Sequence, residues 1–180
     1  LYRLVGSEMC IRDSQLIGRT RDDAAGEAFD KAARLLDLGF PGGPEVDKHS
    51  SLSGESFDFP RAFLKGSHDF SFSGMKTAFL NLSEKNKPYD KDKISKLCNT
   101  FQEAIVDVIT EKTIKAAEEH KCKGIVVTGG VAANSHLRNE IKRKSLLPVF
   151  IPEKKLCTDN GAMIASFVVE NYKKSYSGFN

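Results

Sequence analysis

The segment that most clearly suggests a binding or catalytic role is GIVVTGGVAANSHLRNEI, residues 124–141. It joins a short apolar run to a helix-like run through two consecutive glycines. A plain turn needs one glycine at most, whereas Gly129 and Gly130 together remove two Cβ atoms where a ligand could touch the backbone. The helix that follows presents unpaired N–H groups in its first turn. Asn134 is then either the cap of that helix or a side-chain contact to the ligand, and the local sequence leaves both roles open.

A second polar site follows the next apolar run, in CTDNGAMIA, where Asp159 precedes the last helix-like segment. Capping is one role for it, because aspartate is among the best cap residues. Metal binding is the other, although a single carboxylate holds a divalent ion poorly. The four histidines, His49, His68, His120 and His136, form no H-x-x-x-H pair. Any metal site that uses Asp159 is therefore incomplete within this chain.

An earlier helix-like segment carries three acidic residues at helical spacing, Asp23, Glu27 and Asp30. The simpler role for this acidic face is ion pairing at i,i+4, from Glu27 to Lys31 and from Asp30 to Arg34. The alternative is binding, because the glycines of PGGP, residues 41–44, follow closely and leave backbone exposed. Carboxylates are natural acceptors for ribose hydroxyls, so a carboxylate and open backbone could meet one ligand here.

Basic residues cluster late in the chain, at Arg138, Lys142, Arg143, Lys144, Lys154 and Lys155. A solvated, charged face is the simpler interpretation. Contact with a phosphate backbone is the alternative. The net charge of +3 permits a nucleic-acid partner without arguing for one.

Hydrophobic periodicity predicts the elements that must hold these residues. Thr20 and Asp23 predict a capping box for a first helix that ends at Gly39. PGGP then predicts a rigid bend, and residues 50–68 predict a loop with little periodicity.

The second half of the chain alternates helical and strand-like segments. HDFSFSG predicts a short strand, and residues 84–93 predict a charged surface connection. GIVVT and LPVFIP predict short buried strands, because both are apolar and rich in β-branched residues. The predicted helices span residues 73–81, 94–120, 134–144 and 159–174. This order predicts an α/β domain whose sheet is at least partly parallel.

Composition narrows the class of protein further. The 180 residues are 40% hydrophobic and 28% charged, which is typical of a soluble globular domain. The four cysteines form no C-x-x-C pair, and no apolar run approaches the length that spans a bilayer. We therefore predict a soluble, cytoplasmic protein. Residues 1–14, LYRLVGSEMCIRDS, show no clear period, and we interpret them as a foreign segment joined to residues 15–180.

Taken together, five segments resemble one family. DDAAGEAFDKAARLL, PGGP, DFSFSGMKTA, GGVAANSHLR and CTDNGAMIA look like the carboxy-terminal part of the TsaD family, the tRNA N6-adenosine threonylcarbamoyltransferases. The resemblance runs from about Gln15 to the end of the chain, in the family's order. It implies an actin-like, sugar-kinase-like (ribonuclease H-like) α/β fold with two lobes around a cleft, of which this chain would supply mainly the second lobe.

The resemblance also implies an acyltransferase activity. A threonylcarbamoyl group would pass from threonylcarbamoyl-adenylate to N6 of an adenosine beside the anticodon, in tRNAs that read codons beginning with A. Asp30, Gly43, Asp47 and Asn134 would line the nucleotide site, and Asp159 would bind iron as Fe2+. The implied partners are tRNA and the other proteins of the threonylcarbamoyladenosine modification complex, with no membrane.

One departure from the family pattern sets a limit on these implications. The family's H-x-x-x-H motif and Ser-Gly-Gly loop belong to an amino-terminal half that is absent here, so we expect a fragment that is inactive alone. Two alternatives stay open at this point. One is an actin-fold kinase acting on a small molecule, and the other is a non-catalytic scaffold paralogue.

Overall fold

The computed structural model describes residues 15–50 and 54–176. The interpretation of residues 1–14 as foreign falls outside this range. The helices of the described part are α1 (Ala25–Leu35), α2 (Gly42–Ser50), α3 (Ser73–Lys85), α4 (Lys91–Glu119), α5 (Ser135–Lys144) and α6 (Gly161–Tyr176), and the strands are β1 (Ile125–Val126) and β2 (Val149–Phe150). Short 3-10 turns follow each strand, at Gly130–Ala133 and Lys154–Leu156. The predicted α/β class is confirmed.

Helix α1 begins later than its predicted capping box. Thr20 Oγ1 donates to the Asp23 carbonyl oxygen at 2.7 Å, within the turn that precedes the helix. Glu27 then closes the helix start, because its carboxylate accepts the Ala24 N–H at 3.0 Å. The predicted Thr20–Asp23 box is therefore wrong. Threonine and aspartate also favour turns, and here that preference prevails.

The PGGP segment opens helix α2, so the predicted rigid bend is wrong. Pro44 lies in the first turn, where its missing N–H leaves no hydrogen bond unmade. Asp30 Oδ1 accepts the Gly42 N–H at 2.7 Å, which satisfies one of the unpaired donors at the helix start. A Cβ on Gly42 would lie 2.5 Å from the Asp30 Cα. Glycine at this position therefore allows α1 and α2 to meet at Asp30.

Helix α3 is held by an aspartate from the segment before α1. Asp22 accepts the backbone N–H groups of Phe72 and Ser73 at 2.7 and 3.2 Å, and also the hydroxyls of Ser71 and Ser73. Burial acts to raise the pKa of Asp22, but these hydrogen bonds prevail and lower it. The strand predicted at HDFSFSG does not form among the described residues, where only an isolated β-bridge joins Phe70 to Thr20.

Helix α4 forms the centre of the main hydrophobic core and confirms the predicted helix over residues 94–120. Asp90 caps it by accepting the Lys93 N–H at 2.8 Å. Phe101 of α4 packs against Phe79 of α3, with ring centroids 4.7 Å apart, and against Phe29 of α1 at 5.9 Å. Three helices are thereby fixed to one another by buried aromatic rings.

Strands β1 and β2 pair in parallel, as predicted, with Val126 opposite Phe150. Ile125 packs against residues of α4 and α5 and is buried. On the other face, Val126 is 70% exposed and Phe150 is 62% exposed. The prediction of buried strands is therefore correct for one face of the described sheet and wrong for the other.

Helix α6 begins at Gly161, and Asn160 Oδ1 caps it by accepting the Met163 N–H at 3.0 Å. Ile164 and Val168 are among its exposed apolar side chains. No helix among the described residues is long and apolar enough to cross a membrane.

Candidate functional site

A cleft of about 720 Å³ lies at the carboxyl end of β1. The starts of α1 and α2 form one wall, the loop from Thr128 to Asn134 forms the other, and Lys154 and Thr158 lie at the rim. Ligands of open α/β sheets bind at this edge. The residues predicted to share a nucleotide site, Asp30, Gly43, Asp47 and Asn134, all line the cleft. The structure therefore brings together four residues that are spread over a hundred positions of sequence.

The two glycines after β1 have different roles in the loop. Gly129 has φ +90° and ψ 170°, a conformation that side chains with a Cβ rarely adopt. Its carbonyl oxygen accepts the Ala132 N–H at 2.9 Å, which starts the 3-10 turn. A Cβ on Gly130 would meet no described atom within 4 Å, so this residue leaves the backbone open beside the cleft. The first glycine shapes the loop, and the second keeps it accessible.

Asn134 caps α5. Its Oδ1 accepts the Leu137 N–H at 2.9 Å, and its Nδ2 donates to Gln102 Oε1 at 2.7 Å. The side chain is nearly buried, with 7% of the residue exposed. Of the two roles that the sequence leaves open, capping is therefore observed. Contact with a ligand stays a prediction, and the position of Asn134 in the lining of the cleft is compatible with it.

Asp47 is a residue of α2, and its side chain extends to the start of α5. Its two carboxylate oxygens lie 3.2 and 3.1 Å from the Ser135 nitrogen, whose N–H they accept. Lys154 Nζ donates to Ser135 Oγ at 2.6 Å and lies 3.9 Å from Asp47 Oδ2. A helix start attracts anions, and Asp47 supplies one from within the chain. Asp47 thus ties the two walls of the cleft together.

Asp30 and Gly43 present the most open groups of the α1–α2 wall. Asp30 Oδ1 holds the Gly42 N–H, whereas Oδ2 makes no hydrogen bond with any described residue. A Cβ on Gly43 would meet no described atom within 4 Å. The wall therefore offers one carboxylate acceptor and one stretch of bare backbone to a ligand.

The lining residues favour binding over nucleophilic chemistry. The described lining contains carboxylates, lysines, threonines, an amide and backbone N–H groups, but no histidine or cysteine. Such groups suit the hydroxyls and phosphate of a nucleotide, held against the apolar surface of Phe29, Pro41 and Val131.

Asp159 lies outside the lining of the cleft and is exposed. It makes no side-chain hydrogen bond or ion pair with the described residues, and the neighbouring Asn160 caps α6 instead. The capping role considered for Asp159 is therefore wrong. Among the described residues, no group of three histidine, cysteine, aspartate or glutamate side chains could hold a metal ion. By themselves these residues do not form an iron site, although the Asp159 carboxylate is available as one ligand.

The predicted ion pairs of the acidic face are wrong. Lys31 pairs with Asp23 rather than Glu27, because Glu27 is used at the start of α1. Asp30 accepts the Gly42 N–H and forms no ion pair with Arg34. The carboxylates of Glu27 and Asp30 therefore accept N–H groups at the starts of α1 and α2. Of these two residues, Asp30 also lines the cleft.

Besides Lys154, three of the six residues in the late basic cluster form ion pairs with nearby carboxylates. Arg143 pairs with Glu140, Lys144 with Asp107 and Lys155 with Glu153. The hydrogen bond from Arg143 lowers the pKa of Glu140, which keeps this pair charged. A solvated face is the interpretation that these pairs favour, and Lys154 is the member of the cluster that lines the cleft.

Gln102 was not predicted from the sequence as a residue of the site. This residue is 3% exposed on α4 and bonds to both Asn134 and Ser50. A signal was present, because Gln102 follows Phe101 directly within the buried stripe of the helix. A polar side chain at a buried position must find hydrogen-bond partners, but the sequence does not say which ones.

The chain is similar in sequence to proteins of one named family. A sequence model of the family "tRNA N6-adenosine threonylcarbamoyltransferase" matches residues 7–166. Among curated relatives of that name, one from Dehalococcoides mccartyi is 54% identical over 152 residues, covering 84% of this chain and 46% of the relative. One from Thermosipho africanus is 48% identical over 170 residues, covering 91% of this chain and 51% of the relative. This chain thus spans about half the length of the curated relatives that it matches.

Solved structures are similar at the level of the fold. The crystal structure of HypF from T. kodakarensis superposes with a TM-score of 0.62 at 16% identity, over 86% of this chain and 20% of HypF. A full-length HypF, in a phosphate- and nucleotide-bound form, gives 0.61 at 18% identity, over 83% of this chain and 20% of HypF.

The parallel strands and flanking helices define an α/β protein, and its cleft lies at the edge of the sheet where ligands of such proteins bind. Within that class, the chain belongs to the TsaD family of tRNA N6-adenosine threonylcarbamoyltransferases.

Proposed function

We propose that this chain supplies the nucleotide-binding part of an enzyme that transfers a threonylcarbamoyl group from threonylcarbamoyl-adenylate to N6 of an adenosine beside the tRNA anticodon. The observation that carries the proposal is the convergence of Asp30, Gly43, Asp47 and Asn134 on one cleft, in a chain that belongs to this family. The comparisons support neither a small-molecule kinase nor a scaffold paralogue.

Each wall of the cleft would hold a different part of the adenylate. The open Asp30 Oδ2 suits a ribose hydroxyl, and the bare backbone at Gly43 and Gly130 allows close approach of the nucleotide. Lys154, at the rim, suits the phosphate. Several such contacts would hold the reactive carbonyl of the adenylate in a fixed position relative to the incoming adenosine. Holding two reactants in this way lowers the activation free energy of a transfer reaction.

The fold supports the same proposal. We assign the chain to the second lobe of an actin-like, sugar-kinase-like fold, and the superposition on HypF, one structure of which holds phosphate and nucleotide, agrees with that assignment. A second lobe needs a first lobe to close its cleft. Val126 and Phe150 provide an apolar sheet face that the described residues leave uncovered.

Asp159 is the one described residue that we propose as an iron ligand. Its unpaired carboxylate would be one ligand of an Fe2+ ion whose other ligands lie outside the described residues. A bound Fe2+ would act as a Lewis acid toward an oxygen ligand. The further partners that we propose are tRNA and the other proteins of the threonylcarbamoyladenosine modification complex, in the cytoplasm.

The test joins residues 15–180 to the amino-terminal half of the Dehalococcoides mccartyi relative, and we call this protein the chimaera. The chimaera should bind AMP and should modify tRNA when it is supplied with threonylcarbamoyl-adenylate. A matched protein in which Asp30 is replaced by asparagine keeps an oxygen for the Gly42 N–H but loses the charge, and it should bind AMP more weakly. A folded chimaera that neither binds AMP nor modifies tRNA would contradict the proposal.

A further inference from the structure

A continuous line of buried hydrogen bonds runs behind the cleft, from α5 through α4 to α2. Asn134 Nδ2 donates to Gln102 Oε1 at 2.7 Å, and Gln102 Nε2 donates to Ser50 Oγ at 2.7 Å. Ser50 Oγ donates in turn to the Asp47 carbonyl oxygen at 2.9 Å. Gln102 and Ser50 are each 3% exposed, so water does not compete for these bonds.

The line has one direction, and Gln102 sets it. An amide presents an acceptor on one side and a donor on the other, and here the acceptor faces Asn134 and the donor faces Ser50. With the Gln102 amide reversed, two N–H donors would face each other at Asn134. The bond from Asn134 Nδ2 therefore fixes the orientation of the Asn134 amide, and its Oδ1 is directed to the Leu137 N–H.

Gln102 also links the two walls of the cleft. Asp47 stands on α2 and Asn134 stands at the start of α5, and both line the cleft. Gln102 reaches Asn134 directly and reaches the backbone of Asp47 through Ser50. It does not itself line the cleft.

We propose that Gln102 is a positioning residue for nucleotide binding, which acts by fixing the orientation of the Asn134 amide in the wall of the cleft. This inference rests on the proposed function, because it assumes that the cleft binds the adenylate. It adds a residue on α4, outside the cleft, to those that determine how tightly the adenylate is held.

The experiment is a double-mutant cycle in the chimaera with AMP as the ligand. Gln102→Met keeps the length of the side chain and removes both hydrogen bonds, and it should weaken AMP binding about tenfold. Asn134→Ala should also weaken AMP binding. If Gln102 acts through Asn134, the double variant should bind AMP no more weakly than Asn134→Ala alone.

The matched control is Asn99→Leu, on the same helix. Asn99 is also a buried amide, 8% exposed, but its Nδ2 donates to the Glu55 carbonyl oxygen and to Glu103, away from the cleft. This variant should lower the melting temperature and leave the dissociation constant for AMP unchanged.

Four outcomes would contradict one or the other proposal. Absence of AMP binding by the unmodified chimaera would contradict the proposed function itself. Normal binding by Gln102→Met would contradict the positioning role alone. Additive losses in the double variant would contradict the action of Gln102 through Asn134. An equal loss in Asn99→Leu would show that Gln102 acts only through general stability.

Discussion

Asn134 uses the two ends of its amide for different purposes. The oxygen begins α5 by holding the Leu137 N–H, and the nitrogen is held by Gln102 on another helix. The cap thus fixes the residue in the cleft wall, and the roles of cap and ligand contact are compatible rather than exclusive.

Replacement of Asn134 separates these two roles. Asn134→Ala should cost about 1 kcal/mol of stability through the lost cap. In the chimaera it should also weaken AMP binding by about 1–3 kcal/mol, because polar groups of a bound ligand are left unpaired. Isothermal titration with AMP and thermal unfolding measure the two effects.

Asn160→Ala is the control for this prediction, because Asn160 caps α6 with the same type of bond and does not line the cleft. It should lower stability without changing the affinity for AMP. A lowered melting temperature with unchanged affinity in Asn134→Ala would leave the residue with its capping role only.

Asp159 is the residue for which the structure leaves the most to test. Asp159→Ala should reduce the iron content of the chimaera and its transfer activity, because it removes a proposed carboxylate ligand. The Asp159 carboxylate has no structural partner among the described residues, so little stability should be lost. The melting temperature of this variant without metal should be unchanged. Metal analysis and unfolding of the metal-free protein measure these effects, and Glu153→Ala, another exposed carboxylate, is the control. Full iron content in Asp159→Ala would remove this residue from the metal site.

At the scale of the element, adjacent glycines of α2 have opposite surroundings. A Cβ on Gly42 would lie 2.5 Å from the Asp30 Cα, whereas a Cβ on Gly43 would meet no described atom within 4 Å. Gly42 therefore serves the packing of α1 on α2, and Gly43 serves the opening of the cleft.

Alanine at each position distinguishes these roles. Gly42→Ala should destabilise the chimaera by about 1–3 kcal/mol, the usual cost of overpacking a tight contact. Gly43→Ala should preserve stability, because alanine favours a helix more than glycine does, and it should weaken AMP binding by filling the cleft. Thermal unfolding and AMP titration of both variants provide the measurement. Equal stability of the two variants would contradict the distinction.

The stability that Asp22 contributes at the start of α3 should depend on pH. Its pKa in the folded protein is lowered from the ordinary value of 3.8, so its stabilising contribution is complete above that value and is lost as the pH falls toward the folded pKa. Asp22→Ala should therefore lower stability by about 1 kcal/mol near neutral pH, and the difference from the unmodified protein should shrink in acid.

Thermal unfolding of the chimaera between about pH 7 and about pH 3 measures this difference. Asp58→Ala is the control, because Asp58 is exposed and makes no side-chain hydrogen bond with the described residues. A difference between Asp22→Ala and the unmodified protein that does not shrink with falling pH would contradict the assigned cause.

Local sequence predicted the helices better than their first turns. Phe29 in the apolar stripe of α1, and Leu97 and Phe101 in that of α4, are buried as periodicity predicts. Helix α2 was not predicted, because its start depends on Asp30, a residue of another helix, which accepts the Gly42 N–H. Likewise, Asp22 holds the start of α3 across 50 positions of sequence. Such caps come from tertiary structure, and no local pattern contains them.

At the scale of the molecule, the uncovered sheet face and α6 determine how the chain behaves alone. Val126, Phe150, Ile164 and Val168 are exposed apolar side chains. Residues 15–180 alone should therefore self-associate, and the chimaera should do so less. Size-exclusion chromatography with light scattering measures this difference.

The isolated chain should also show no tRNA modification with supplied adenylate, because residues 15–180 do not include the proposed first lobe that would close the cleft over the substrate. The chimaera is the positive control. Turnover by residues 15–180 alone would place the catalytic groups within this chain.

The sequence predicted residues that share one cleft, but not the contacts that connect them. The sequence predicted Asp30, Gly43, Asp47 and Asn134 through the family resemblance, and the cleft contains all four. It could not show that Asp47 reaches Ser135, or that Gln102 reaches Asn134. These contacts depend on how α2, α4 and α5 pack together, which periodicity leaves undetermined.

The hydrogen bonds between Asp47 and Ser135 join residues 88 positions apart, whereas the bond between Asp30 and Gly42 spans 12. Closing a long loop costs more entropy than closing a short one, so the α1–α2 pair should form early in folding and the cleft should form late. The nucleotide can bind only after both walls are in place. Bound nucleotide should therefore slow unfolding and leave the rate of folding unchanged.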